Sequence, residues 1–190
     1  PVKTVKEFIA LAKAQPGKLT FPSGGSGSSQ HLAGEMFKTM AGVSLLHVPY
    51  KGVPDAVRDL LAGEHAVSFE AMGVVTPFVK AGKLRAIAVT TKKRASNFPD
   101  VPTIDESGVP GYEIRTWYGV FAPAGTSPAI VKRLEAEIAK GLQLPVVREK
   151  LTSLGADSTV TNSPEEFAAV FKADLARFGP VVKAAGVRID

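Results

Sequence analysis

The chain contains no cysteine, which excludes disulfides, thiolate catalysis and cysteine-ligated zinc while leaving the compartment open. It has no apolar run of the roughly 18 residues a helix needs to cross a bilayer. Pro1-Val-Lys-Thr4 lacks the basic and apolar regions of a signal peptide, so the sequence reads as mature, cytosolic or cut from something longer. Positive charge is in slight excess, at a net +5. Lysine and arginine are nevertheless scattered, and the one cluster, Lys92-Lys93-Arg94, reads as a solvated turn. That is too diffuse for nucleic acid, which is not expected as a partner. What is present is ordinary for a folded protein: 45% hydrophobic and 22% charged residues over 190 positions can bury a core in one large domain or two small ones.

The most informative stretch runs from Leu19 to Leu32, where a short apolar segment opens into a loop of serines and glycines that feeds a helix. Backbone N–H groups at such a junction lack helical partners, and the helix dipole adds partial positive charge, so an anion can sit there. Ser23, Gly24, Gly25, Ser26, Gly27, Ser28 and Ser29 combine close backbone approach with hydroxyl donors and carry no charged side chain. The loop is not a P-loop, because Ser28-Ser29-Gln30 stands where Gly-Lys-Ser/Thr is required. It fails the dinucleotide fingerprint at Gln30, and no Gly-x-Ser-x-Gly elbow fits. A small carboxylate or phosphate held by neutral donors is the functional reading; a flexible surface loop is the plain alternative.

Hydrophobic spacing places helices at Val5–Ala14 behind the capping box Thr4-Val-Lys-Glu7, from about Ser29 to Gly42, at Pro54–Leu61 and at Val74–Val79. Strands are predicted at Lys18–Phe21, Val43–Val48, Ala66–Phe69 and Leu84–Thr90, an alternation that implies a mostly parallel sheet covered by helices. Prolines and glycines between Asn97 and Gly111 mark an irregular connection with one helical turn near Thr103–Glu106. Glu113–Ala122 reads as a long strand. Helical faces follow at Ile130, Val131, Leu134 and Ile138, at Val147, Leu151 and Leu154, and, behind the box Ser163-Pro-Glu-Glu166, at Phe167, Val170, Phe171, Leu175 and Phe178. A short strand is predicted at Asp157–Thr161. These last helices need a sheet to lie on.

Five ordered motifs resemble one family: Phe21-Pro-Ser-Gly-Gly-Ser-Gly-Ser-Ser-Gln-His-Leu-Ala-Gly-Glu35, His47-Val-Pro-Tyr-Lys-Gly52, Ala81-Gly-Lys-Leu-Arg-Ala-Ile-Ala-Val-Thr90, Pro99-Asp-Val-Pro-Thr103 and Trp117-Tyr-Gly-Val-Phe-Ala-Pro-Ala-Gly125. They are similar to the Bug, or tripartite tricarboxylate transporter, solute receptors. The resemblance implies an α/β fold of the type II-like periplasmic binding proteins, bilobal, closing around a small organic acid. It also implies a periplasmic location in a Gram-negative bacterium, delivery to the membrane subunits of the transporter, no enzymatic chemistry and no cofactor. By the resemblance, most of the first domain would be absent from this chain. Residues 1–112 would be the second domain, 113–121 the crossover and 122–190 helices completing the first domain, with an oligomer or a domain swap as ways to cover the surface left open.

By the same resemblance the carboxylate is held by Ser23, Gly24, Gly25, Ser26, Gly27, Ser28 and Ser29, with Glu70 near the pocket, where it would accept from an amino group or a water. Three or four hydrogen bonds to a charged acceptor, at roughly 1.5–3 kcal/mol each, suffice for micromolar binding. Some serines would instead cap the helix. Replacing Gly27 by a β-branched residue is expected to weaken binding while barely moving the melting temperature. Tyr50 and Lys51 read as turn-fixing residues and Trp117 as core or cleft packing. His31, His47 and His65 match no metal-ligand spacing, so no metal site is assigned, and Glu35, Asp55 and Asp59 have no catalytic partner. Two other classes stay open: an enzyme using the loop for a phosphorylated substrate, and the effector-sensing domain of a transcription regulator.

Overall fold

The computed structural model describes residues 2–156 and 163–186. They divide into two compact units, one formed by the residues up to Arg115 together with those from Phe178 onward, the other by Thr116–Arg177.

In the first unit, helix α1 (Val5–Ala14) begins where Thr4 Oγ1 accepts the Glu7 amide at 3.2 Å. The glutamate of the predicted box reaches back one residue further than expected, accepting from the Lys3 amide at 2.7 Å. Strand β1 (Thr20–Ser23) follows, then α2 (Ser29–Ala41), capped at one end by Ser28 and closed at the other by Gly42 in the left-handed conformation at φ +62°. Strand β2 (Leu46–Pro49) pairs parallel with β1 in the register Phe21 to His47 and Ser23 to Pro49. Helices α3 (Val53–Leu61) and α4 (Met72–Lys80) complete the regular elements of this unit.

The core gathers Val5, Phe8 and Ala12 of α1, Phe21 of β1, Ala33, Met36 and Phe37 of α2, and Ile104, Val109 and Tyr112 of the irregular connection. Phe37 is its hub, with ring centroids 5.9 Å from Phe8, 5.6 Å from Phe69 and 6.2 Å from Tyr112. The buried Tyr112 hydroxyl donates to the Ala33 carbonyl at 3.0 Å, so the one polar atom of that side chain is satisfied.

Three predicted strands are corrected. Among the described residues the only ladder is β1–β2, whereas Ala66–Phe69 and Leu84–Thr90 form none: Ala66 N–H bonds Thr20 C=O at 3.1 Å, and Val89 stands in an isolated parallel bridge to Thr103. An extended segment becomes a strand only where alternate residues exchange bonds with a neighbour in succession, and these do not. Glu113–Ala122 is likewise unladdered; the Ile114 amide bonds Thr90 C=O at 2.8 Å, and Tyr118, Val120 and Phe121 lie exposed. The helical turn expected at Thr103–Glu106 is a reciprocal box, Thr103 N–H to Glu106 Oε1 at 3.1 Å and Glu106 N–H to Thr103 Oγ1 at 3.0 Å. The predicted strand Asp157–Thr161 lies outside the described residues.

The second unit holds α5 (Pro128–Gln143), α6 (Pro145–Ser153) and the start of α7 (Pro164–Ala184). The box at Ser163 forms as predicted, with Ser163 N–H to Glu166 Oε2 at 3.0 Å and Glu166 N–H to Ser163 Oγ at 3.2 Å. Its centre is aromatic: Trp117 packs edge-on to Phe167 at 5.1 Å and Phe171 at 6.1 Å, and its indole N–H donates to Asp174 at 2.7 Å. The apolar face predicted on α5 is open, with Ile130, Leu134 and Ile138 all exposed.

Candidate functional site

The Ser/Gly loop lies where β1 ends and α2 begins. Gly25 C=O accepts from Ser28 N–H at 3.2 Å and Gly27 has φ +78°, the pattern of a type II turn with Ser26 and Gly27 at its centre. Gly24 passes against the start of α3: a Cβ placed there would meet Val53 Cγ2 at 2.9 Å and its backbone nitrogen at 3.2 Å. Only glycine fits that approach.

Some of the loop's donors are already engaged. Gly25 N–H donates to Ser23 Oγ at 3.2 Å, Gly27 N–H to His31 Nδ1 at 3.1 Å, and Ser28 Oγ accepts from His31 N–H at 3.4 Å. Ser23 is fully buried, its hydroxyl in contact with Gly25 C=O at 3.0 Å and His47 Nε2 at 2.6 Å. Among the described residues, the amides of Gly24, Ser26, Ser29 and Gln30 have no partner. Four donors are therefore left at an uncharged corner on the positive end of a 13-residue helix. Gly27's positive φ also corrects the expectation about its replacement: a β-branched residue is strained there, so stability falls along with any effect on binding.

Glu70 joins this corner through Gln30, whose buried side chain donates to Glu70 Oε2 at 3.3 Å while Ser68 Oγ donates to Oε1 at 3.0 Å. Burial raises the Glu70 carboxyl above its ordinary value, with the two hydrogen bonds opposing.

Residues that pattern reading did not bring together lie beneath the loop. His31 and His47 stack face to face, centroids 3.7 Å apart and planes 7° from parallel. Burial lowers both; the neighbouring His31 and Lys38 push His47 further, to about 4, and at His31 Glu35 opposes the shift while Lys38 adds to it. The pairing follows from the β1–β2 register together with the first turn of α2, a signal that single-segment periodicity does not contain. On the other side Tyr50 fixes its turn, as expected. Its amide bonds Ser23 C=O at 2.9 Å, and its hydroxyl donates to Asp59 at 2.8 Å and meets His65 Nε2 at 2.8 Å. Glu35 pairs with Lys38 at 2.7 Å and Asp55 with Arg58 at 2.7 Å, which accounts for these carboxylates structurally. Two open hollows of about 550 and 430 Å³ lie elsewhere on the first unit, around Val2, Leu84 and Arg85 and around Lys6, Ile87 and Pro102; neither includes a loop residue. No helix among the described residues is long and apolar enough to cross a membrane.

Comparison with known proteins gives this corner a context. A Pseudomonas sp. protein encoded in the tcbD-tcbE intergenic region is 40% identical over 181 residues, which cover 95% of this chain and 54% of that relative. An R. palustris protein solved with adipate superposes at a TM-score of 0.88 and 38% identity, covering 98% of this chain and 62% of the other. MatC from Rhodopseudomonas palustris with bound malate gives 0.85 at 28% identity, over 96% of this chain and 63% of that one. The chain thus spans about half the length of the curated relative and under two thirds of the solved ones. The family model described as the tripartite tricarboxylate transporter family receptor matches residues 1–187, and the chain belongs to that family.

Proposed function

We propose that this chain is part of a periplasmic receptor that captures a small carboxylate and presents it to the membrane subunits of a tripartite tricarboxylate transporter, without chemistry of its own. The observation that carries the reading is the set of four unpartnered amides, on Gly24, Ser26, Ser29 and Gln30, at an uncharged helix N-terminus. The adipate and malate bound in structural neighbours support a carboxylate as the ligand class. Ser23 and Ser28 then hold the loop, while Gly25 and Gly27 shape it and Ser26 and Ser29 present donors. Glu70 borders the ligand through Gln30. On this reading residues 1–112 act as one ligand-binding domain, 113–121 as the crossover, and 122–190 as the part that would complete the other domain, with the open face of α5 covered by the remainder of a two-domain receptor. Capture works by closure, with ligand contacts favouring the closed arrangement.

The test is Ser26→Pro. Proline suits the second position of a type II turn, and the substitution removes the unpartnered Ser26 N–H together with a hydroxyl that bonds no other group among the described residues. Titration calorimetry of the intact receptor with malate and with adipate should show affinity falling about 10-fold or more for the acid it binds, the loss of one charge-assisted hydrogen bond, with the melting temperature unchanged or raised. An unaltered dissociation constant places the carboxylate elsewhere.

A further inference from the structure

We propose that the stacked His31–His47 pair is a proton-sensitive latch beneath the ligand corner: with His31 neutral it holds Gly27 and keeps the loop's free amides facing outward, and a proton on His31 releases Gly27 and lowers carboxylate affinity. The inference rests on the carboxylate reading given above for its effect on binding, but not for its effect on the loop.

The geometry fixes the tautomer. His31 Nδ1 accepts the Gly27 N–H at 3.1 Å, so the proton of the neutral ring is on Nε2, which faces Glu35 Oε1 at 3.8 Å. A second proton has one place to go, Nδ1, where it meets the Gly27 N–H donor head-on. Gly27 then has no acceptor, and the turn that carries Ser26 loses its tie to the His31 ring, keeping only its own Ser28 N–H to Gly25 C=O closure and the bond of Gly25 N–H to Ser23 Oγ. His47 does not fail in the same way. Its Nε2 sits 2.6 Å from Ser23 Oγ, and either ring nitrogen state leaves a closed arrangement, because the Ser23 hydroxyl can turn between Nε2 and Gly25 C=O. His31 is thus the sensitive member and His47 the platform on which it lies.

Burial, at 5% exposure, sets the direction by favouring the neutral ring, and the charged and titratable groups around His31 modify it. From α2 itself Glu35 favours the imidazolium, but Lys38, 2.7 Å from that carboxylate, offsets it. From β2 His47 presents a parallel ring at 3.7 Å, and from β1 Ser23 supplies only a hydroxyl while the Phe21 ring lies 5.1 Å from that of His47. The latch is therefore closed near neutral pH and opens on acidification below the ordinary imidazole range. On opening, the imidazolium has Glu35 as its nearest counter-charge, which draws Nε2 along α2 and away from the loop.

The experiment uses the intact receptor. In isotope-labelled protein, the His31 ring nitrogens and the Gly27 amide are followed by NMR from pH 8 to pH 4, and binding of malate and adipate is measured by calorimetry for wild type and His31→Asn. Asparagine places a non-titrating acceptor close to the position of Nδ1. The ratio of the two dissociation constants at each pH cancels the ligand's own titration. The expected result is a Gly27 amide shift with the same midpoint as His31. His31→Asn should bind within about threefold of wild type at pH 8, with wild type losing a further three- to tenfold relative to the variant on acidification, the loss of one neutral hydrogen bond. A Gly27 amide that ignores the His31 titration overturns the latch, and so does a wild-type affinity that rises in acid relative to His31→Asn, which would mean the charge simply attracts the ligand. If Gly27 follows His31 while wild type binds neither acid at any pH, the carboxylate reading fails and the loop latch stands.

Discussion

Gly34→Ala is the sharpest test of how the scaffold holds the corner. Gly34 lies on α2 facing the ring of Phe21, which is fully buried in β1 two residues before Ser23. A Cβ at Gly34 would sit 2.2 Å from Phe21 Cε2, 2.5 Å from Cζ and 2.7 Å from Cδ2, against the roughly 3.5–4.0 Å that carbon contacts require. The ring has no free direction, being packed against His47 at 5.1 Å and Phe69 at 6.0 Å. Overpacking of this kind costs about 1–3 kcal/mol, and a boxed ring puts it at the upper end; exchanging glycine for alanine within a helix returns about 1 kcal/mol. The net is about 2 kcal/mol of destabilisation, a fall of roughly 6–12 °C in melting temperature for a domain of this size. The control is the same substitution at Gly141 in α5, where a Cβ meets nothing within 4 Å and the helix term alone should stabilise by up to about 1 kcal/mol. Urea unfolding is followed by far-ultraviolet dichroism for Gly34→Ala and by fluorescence of Trp117, which belongs to the second unit, for Gly141→Ala. Shifts of the same sign in both variants would refute the packing argument.

Further outcomes follow from single contacts. Tyr112→Phe removes the buried bond to Ala33 C=O and should cost about 1 kcal/mol in urea unfolding; a neutral result would mean that the carbonyl finds another donor. Gly27→Val forces φ +78° on a β-branched residue and should lower stability by about 1–2 kcal/mol, seen as a drop in melting temperature alongside weaker carboxylate binding. For pH, unfolded imidazoles hold protons up to about pH 6.5, while folded His47 does so only below about 4. Between those values the unfolded chain binds more protons, so stability is complete above about 6.5 and declines as pH falls towards 4. His47→Phe keeps an aromatic ring over His31 and should reduce the loss between pH 7 and pH 5 by about 1–2 kcal/mol, after discounting for the ring's partial exposure; an unchanged pH slope would show that the burden lies elsewhere.

Helix ends were legible because their causes are local. Thr4, Ser28 and Ser163 each cap within three residues, and the apolar faces of α1 and α2 bury Phe8, Ala12, Met36 and Phe37 where the spacing puts them. The strands were less so. Apolar runs at 66–69 and 84–90 resemble β1 in composition, yet whether a run is laddered depends on a neighbour that the run does not encode. At the site, a serine and glycine loop opening into a helix was readable, with capping by some of its serines; the turn at Gly25–Ser28 and the choice of Ser28 as the cap came from the structure. The division of labour inside the loop was not legible either: that Ser23 is occupied by His47 and Gly27 by His31 depends on two strands and a helix meeting, with the partners 24 and 4 residues apart. Three histidines at uninformative spacing thus became a stack under the loop and a pin beside Tyr50.

The corner between Ser23 and Ser29 contains no charged side chain, and this bears on the surroundings in which such a receptor can work. Mobile ions shield one full charge from another over about 8–10 Å, but they do little to amide dipoles touching a bound acid directly. On the reading proposed above, a grip of that kind would keep nearly the same capture threshold in dilute water and in brine, whereas an arginine clamp would slacken as the medium turned salty.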